Sequence, residues 1–388
     1  MLDGRRIYFV GIGGAGLSAY AFLARAWGAE VAGWDRHDTP YLRGLDGVRV
    51  DLGDRPAPPD GWEVVVSSAY AGRAEGRTRA DFLAELVSMR DAIVVAGAHG
   101  KTTTTAMIAF VLAELGRDPA WLVGGEVQQL GGNAGAGEGW LVVEGDESDR
   151  TLEHLRPQVA VVLNVELDHH ATFASEAEVR ELFDRWAGAA PAAVRGWDLE
   201  PVDAELAVPG AHNRQNAAAA LAALQHLGVA RDDALPVLTR FRGVGRRFQL
   251  VGEAAGVTVV DDYAHHPSEI EATIAAARER HGGRVLVLFQ PHLYSRTRHL
   301  ATALGRALSA ADGVCVTDVY AAREEPLADV DGQLVLRALT PGVRAGWAPT
   351  VEDGVRLLAA WARPGDLVLT VGAGDVDRAG PLLLEALA

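Results

Sequence analysis

Residues Ala92-Ile-Val-Val-Ala-Gly-Ala-His-Gly-Lys-Thr-Thr103 decide the fold. Five apolar residues without polar alternation suit a parallel strand buried on both faces. Gly97 and Gly100 then permit a tight turn, and Thr102 to Leu115 reads as a helix. A strand, glycine turn and helix in that order present backbone N–H groups at a helix N-terminus, which is how phosphate oxygens are cradled. Lys101 would bridge the β- and γ-phosphates of a nucleotide, and a Thr hydroxyl would ligate Mg²⁺. The first glycine stands at 97 rather than 95, so the loop is a shortened form of the usual spacing.

Composition singles out the same position. Of 36 basic residues among 388, Lys101 is the only lysine. Arg is a rigid fork and Lys a compact point charge, so a chain that writes Arg everywhere else keeps an ammonium where a triphosphate needs one. With 49% apolar and 23% charged residues the chain reads as soluble and globular, long enough for two or three domains. A net charge of −16 argues against a nucleic-acid-coating surface, and the single cysteine, Cys315, excludes an intrachain disulfide and a Cys-cluster zinc site. Arg5-Arg6 followed by Ile7 to Ala24 imitates a secretion signal, but glycines at 11, 13, 14 and 16 interrupt it. No stretch is apolar enough to span a bilayer, and a cytoplasmic location is expected.

Outward from the loop, apolar runs alternate with helical patterns: Arg6 to Val10, Val64 to Ser67, Leu141 to Glu144, Val159 to Leu163, Val257 to Asp261, Val285 to Phe289, Val314 to Thr317 and Leu367 to Val371. This is an α/β pattern with three sheets, divided near residues 89 and 244. The glycine-rich Gly131 to Gly137 reads as a mobile loop.

Six motifs carry candidate chemistry. Gly11-Ile-Gly-Gly-Ala-Gly16 fits G-x-G-x-x-G, and Asp35 closes the next strand about 20 residues on, where a ribose hydroxyl could be gripped. That match fits a pyrophosphate ligand without separating NAD from a UDP-sugar, and a dehydrogenase has no use for the second phosphate site. Glu144 heads the acids of Glu144-Gly-Asp-Glu-Ser-Asp149, where a P-loop enzyme holds its metal, although such clusters are also ordinary solvated loops. Asn164-Val-Glu-Leu-Asp-His-His170 offers Asp168 and His169 as metal or phosphate contacts. Phe241-Arg-Gly-Val-Gly-Arg-Arg-Phe248, Asp261-Asp-Tyr-Ala-His-His-Pro267 and Gln290-Pro-His-Leu-Tyr-Ser-Arg-Thr-Arg298 gather cations in an acidic chain, as anion handling or as ion-pair corners.

Together with Gly210-Ala-His-Asn-Arg-Gln-Asn216, these motifs occur in an order that resembles the Mur ligases over nearly the whole chain. The last two are similar to the branch that adds alanine to UDP-N-acetylmuramate. The resemblance implies a Rossmann-like UDP-sugar-binding domain over residues 1–88, a P-loop ATPase domain over 89–244 and a Rossmann-like amino-acid-binding domain over 245–388. It implies ATP with Mg²⁺, or Mn²⁺, and UDP-N-acetylmuramate and L-alanine as substrates. Gly97, His99, Gly100, Lys101, Thr102, Thr103, His212, Asn213, Asn216 and Arg247 would then bind ATP. Gly11, Gly13, Gly14, Gly16, Asp35, Ser67 and Ser68 would bind the UDP moiety, and Tyr263, His265 and Arg296 the muramoyl carboxylate, the alanine or the acyl phosphate. Thr102, Glu144 and His169 would serve metal, and Lys101, His169, His265 and Arg296 the chemistry. Many members use a carbamylated lysine for a second metal, which a chain with one lysine excludes. Only 42 residues separate His169 from His212, where the family has several more strands, so the central domain reads as trimmed at one edge. A muropeptide-recycling ligase of the same family, an NAD(P) oxidoreductase and a non-catalytic UDP-sugar-binding protein remain as alternatives.

Overall fold

The computed structural model describes residues 1–168, 172–322 and 324–388. The first sheet comprises β1 (Arg6–Val10), β2 (Glu30–Asp35), β3 (Arg49–Leu52), β4 (Glu63–Val66) and β5 (Arg77–Thr78), all parallel in the order β3-β2-β1-β4-β5. Strand order reverses between β1 and β4, and ligands of open α/β sheets bind beyond the carboxyl ends at such a reversal. The Gly11–Gly16 turn opens there, running from β1 into α1 (Ala15–Ala26), and α2 (Arg79–Ser88) follows β5.

The second sheet comprises β6 (Ala92–Ala96), β7 (Ala120–Val127), β8 (Gly132–Ala136), β9 (Leu141–Glu144), β10 (Val159–Val162) and β11 (Ala192–Arg195), in the order β11-β10-β6-β9-β7-β8. Only the β7–β8 pair is antiparallel. Strand β6 is buried at all five residues, as its unbroken apolar run requires. Helix α3 (Lys101–Glu114) is buried from Thr102 to Leu112, which explains why it shows no polar face. The helix α4 (Glu176–Gly188) precedes β11.

One sequence expectation changes in this sheet. Gly131 to Gly137 is not a loop: Gly132–Ala136 is the strand β8, hydrogen-bonded to β7. Gly135 is needed because a Cβ there would collide with the Trp121 ring across the pair. After α4 the chain contributes β11 at the sheet edge, paired with β10 alone.

The third sheet comprises β12 (Gln249–Ala254), β13 (Val257–Asp262), β14 (Val285–Phe289), β15 (Gly313–Val316), β16 (Arg344–Trp347) and β17 (Leu367–Val371), in the order β12-β13-β17-β14-β15-β16. Only β12 runs antiparallel to its neighbour. Helices α5 (Ala211–Gln225) and α6 (Arg231–Leu238) precede it, and α7 (Pro267–Arg280) and α8 (Tyr294–Leu308) follow β13 and β14.

Met1–Leu206 and Arg214–Val244 form one compact unit, which holds the first two sheets over one continuous apolar core. Ala207–Asn213 and Gly245–Ala388 form a second. Within the second, Arg280 donates to the Ala207 carbonyl at 3.1 Å and Gly210 lies against Ala276, which attaches the short segment to α7.

Candidate active site

In the first unit, loops leaving β6, β9 and β10 meet, because these strands are neighbours and parallel. Gly100 caps α3 at φ +83°, and a Cβ there would approach Asn216 Oδ1 to 2.5 Å, so only glycine fits the turn. Thr104 N–H makes the first helical bond, to Gly100 O at 2.9 Å, leaving the N–H groups of Lys101, Thr102 and Thr103 without helical acceptors. From β10, Asn164 braces the turn. Its Oδ1 accepts from His99 N–H at 2.8 Å and its Nδ2 donates to His99 O at 3.0 Å. The His99 ring sits 3.2 Å from Glu166 Oε2.

Lys101 Nζ donates to Gly97 O at 2.5 Å and to both oxygens of Glu147 at 3.0 and 3.1 Å. Burial works against the ammonium, but Glu147, Asp146 and Glu144 outweigh it and raise its pKa, so Lys101 stays charged. Glu144, at the end of β9, accepts from Thr102 Oγ1 at 3.0 Å and from Gly124 N–H. Thr102 and Glu144 therefore stand together as the sequence suggested. His169 lies outside the described residues, and Asp168 is buried.

The first glycine turn is built differently. Gly11 and Ile12 N–H donate to Trp34 O, and Gly14 N–H to Gly11 O. Gly13 N–H donates to Asp35 Oδ2 at 2.8 Å, while Asp35 Oδ1 accepts from Arg36 N–H at 2.7 Å and Tyr70 O–H at 3.2 Å. Asp35 is buried, and both its oxygens accept from the protein, so it shapes the turn. The donors left for a ligand are the N–H groups of Ala15, Gly16 and Leu17 in the first turn of α1. Gly11, at φ +90°, lies against Ser67 and Tyr70. Ser67 Oγ caps the following 3₁₀ turn, and Ser68 Oγ donates to Asp149 at 3.4 Å.

Further contacts tie elements of the first sheet to those of the second. Arg79, first residue of α2, pairs with Asp146 at 2.5 Å and Asp149 at 3.2 Å, and Asn133 of β8 donates to Ala15 O at 3.0 Å. Burial pushes Asp146 up, but Arg79, the Ser148 hydroxyl and Lys101 prevail and hold its carboxyl down at about 2. Sequence reasoning did not find Arg79, Asn133 or Asn164 in these roles, and chose Glu144 over Glu147 among the acids. Motif spacing carries no signal for partners contributed by other strands.

In the second unit the three cationic motifs converge. Arg246 binds Asp261 at 3.1 Å and the carbonyls of Gly372 and Gly374 at 2.8 and 3.1 Å, an ion-pair corner. Arg247 lies over the Tyr263 ring and 3.5 Å from Glu269. Tyr263, His265 and His292 pack ring against ring, and Arg296, buried, reaches His292 Nδ1 at 3.2 Å. Glu269 accepts from His265 and His266 N–H, closing the first turn of α7. Burial pushes Asp262 up to about 6 against the pull of Arg247 and of the Ala264 and Phe248 N–H groups. His212 and Asn213 belong to this unit and Asn216 to the first, all on α5.

A lysine-bearing glycine turn at the end of a buried parallel strand, beside a hydroxyl–carboxylate pair, defines a nucleotide-dependent α/β enzyme of the P-loop class. The model described as Mur ligase middle domain matches residues 95–185, and that described as Mur ligase, glutamate ligase domain, matches residues 246–374. The chain belongs to the Mur ligase family. It is 43% identical to the UDP-N-acetylmuramate–L-alanine ligase of Kineococcus radiotolerans, over 99% of this chain and 96% of that protein. It is 41% identical to the ligase of the same name from Streptomyces coelicolor, over 98% and 97%. The crystal structure of UDP-N-acetylmuramate-alanine ligase from Thermotoga maritima superposes with a TM-score of 0.81 at 27% identity, covering 98% of each chain. The first two alignments run over 455 residues whereas this chain has 388, so those relatives carry dozens of positions without counterpart here.

Proposed function

We propose that the chain joins L-alanine to the carboxylate of UDP-N-acetylmuramate at the expense of ATP, in the synthesis of peptidoglycan precursors. The observation that carries this reading is the likeness, over nearly its whole length, to alanine-adding ligases, with the lysine turn and its acids in place. No helix among the described residues is long and apolar enough to cross a membrane, and we place the reaction in the cytoplasm.

A carboxylate offers an attacking amine no leaving group. ATP therefore first phosphorylates it: a carboxylate oxygen attacks the γ-phosphorus and ADP leaves, giving an acyl phosphate. The first-turn N–H groups of α3 and the Lys101 ammonium stabilise the charge on the phosphoryl oxygens. Thr102 Oγ1 and Glu144, hard oxygen donors 3.0 Å apart, suit Mg²⁺ or Mn²⁺, which when bound would neutralise phosphate charge. The neutral amine of alanine then attacks the acyl carbon, phosphate departs and the nitrogen gives up its proton. Gly97, His99, Gly100, Thr103 and Asn216 shape the ATP turn in this reading, and the family resemblance assigns His212, Asn213 and Arg247 to the nucleotide as well. Tyr263, His265 and Arg296 serve the carboxylate and amino-acid side. Residues 1–88, 89–244 and 245–388 act as the three domains.

The test is phosphate release from purified chain given UDP-N-acetylmuramate, Mg²⁺, ATP and one amino acid at a time. Release that requires L-alanine is expected. Intact UDP-sugar binding with no release under any amino acid would overturn the ligase reading.

A further inference from the structure

Among the described residues, Arg79 is the one cation that reaches from the first sheet's helices into the acid loop after β9. Its Nε and Nη2 edge is spent on Asp146 and Asp149. Its Nη1 makes no hydrogen bond among the described residues. A methyl group placed on Gly16 would lie 3.7 Å from that same Nη1, so the unspent edge of the guanidinium faces the first turn of α1. That turn also holds the donors of Ala15, Gly16 and Leu17 that lack helical acceptors. Asn133 fixes the turn from β8 through Ala15 O.

We propose that Arg79 is a diphosphate-binding residue that also positions the acid loop: Nη1 contacts the UDP diphosphate while Nε and Nη2 hold Asp146 and Asp149. This rests on the UDP-sugar reading above. An Arg fork can serve two anions from its two edges at once, which a lysine cannot. The phosphate contacted is the β-phosphate. It carries the sugar whose carboxylate must reach the ATP turn, and Arg79 lies on that side, joined through Asp146 to the loop whose Glu147 binds Lys101. Nucleotide-sugar binding and the setting of the acid loop then share one side chain, so each biases the other.

Calorimetric titration with UDP and with UMP separates this role from a structural one. Arg79→Met should weaken UDP at least about 10-fold while changing UMP less than about threefold, and Arg79→Lys should restore part of the UDP loss. Equal weakening of both nucleotides, or no change in either, would overturn the proposal. If Arg79→Met unfolds because Asp146 is left unpaired, Arg79→Met with Asp146→Asn removes both charges, and the same UDP-against-UMP difference decides. Wild-type chain that binds neither UDP nor UDP-N-acetylmuramate would instead bring down the UDP-sugar reading, and this proposal with it.

Discussion

The turns after β1 and β6 share a sequence grammar of strand, glycines and helix, yet they are completed in opposite ways. The second contains its own cation, Lys101, and is ringed by carboxylates from β9 and the loop beyond it. The first has no cation. Its early N–H groups are consumed by Trp34, Gly11 and Asp35, and the charge it lacks stands on Arg79, from a different helix. A glycine signature therefore specifies a backbone shape, while the charge that selects the ligand can be local or distant. The sharpest way to break the contrast is at Lys101. Lys101→Met should lower kcat by about 1000-fold or more while leaving the KM for UDP-N-acetylmuramate within about threefold, in steady-state assays of phosphate release. Equal activity would remove the ammonium from the mechanism. The variant also strands Glu147, buried at 4% side-chain exposure, and should lose about 3 kcal/mol of stability in denaturant titration.

The next expected effects separate the turns from each other. Gly100→Ala forces a left-handed backbone and a clash with Asn216, so ATP affinity should fall at least about 10-fold with UDP affinity unchanged. Asp35→Ala should do the reverse: without the carboxylate that holds Gly13, UDP affinity falls about 10-fold and ATP affinity stays. If both variants impaired both ligands alike, the two turns would not each serve a ligand of their own. Asn133→Ala removes one neutral hydrogen bond and should cost about 1 kcal/mol, measured by the unfolding midpoint.

A pH experiment sharpens the contrast with the second unit. Asp262 has its carboxyl raised from 3.8 to about 6, so its contribution to stability is full below about 4 and lost as pH rises through 6. Asp146 is shifted the other way, to about 2, and its contribution is present above 4 and lost as pH falls through 2. The unfolding midpoint of wild type relative to Asp262→Asn should thus decline between pH 4 and 6 and level off above 7. A difference constant across that range would show that Asp262 does not titrate there.

Much of this was readable from the residues. The strands β1, β9, β14 and β17 coincide with their apolar runs residue for residue, because a strand buried on both faces has no polar interruption to blur its ends. The missed strands were β3, β5, β7, β8, β11, β12 and β16. They are edge or next-to-edge strands, short or rich in glycine, polar or small residues, whose structure rests on a neighbour's hydrogen bonds more than on their own pattern. Gly131 to Gly137 is the clearest case: the absence of side chains looked like mobility, but it is what lets Trp121 lie across the hairpin.

The sequence by itself determined the class of sheet, the two glycine turns and the exclusion of a lysine-borne metal bridge, since each depends on local spacing or on a count. Tertiary structure decided what each charge does. It set Asp35 against the Gly13 N–H, Glu147 against Lys101, Arg246 in an ion-pair corner, and Arg79 against Asp146 and Asp149. Those partners stand tens of residues apart along the chain, and electrostatic energy depends on distance in space, which spacing along the chain does not encode.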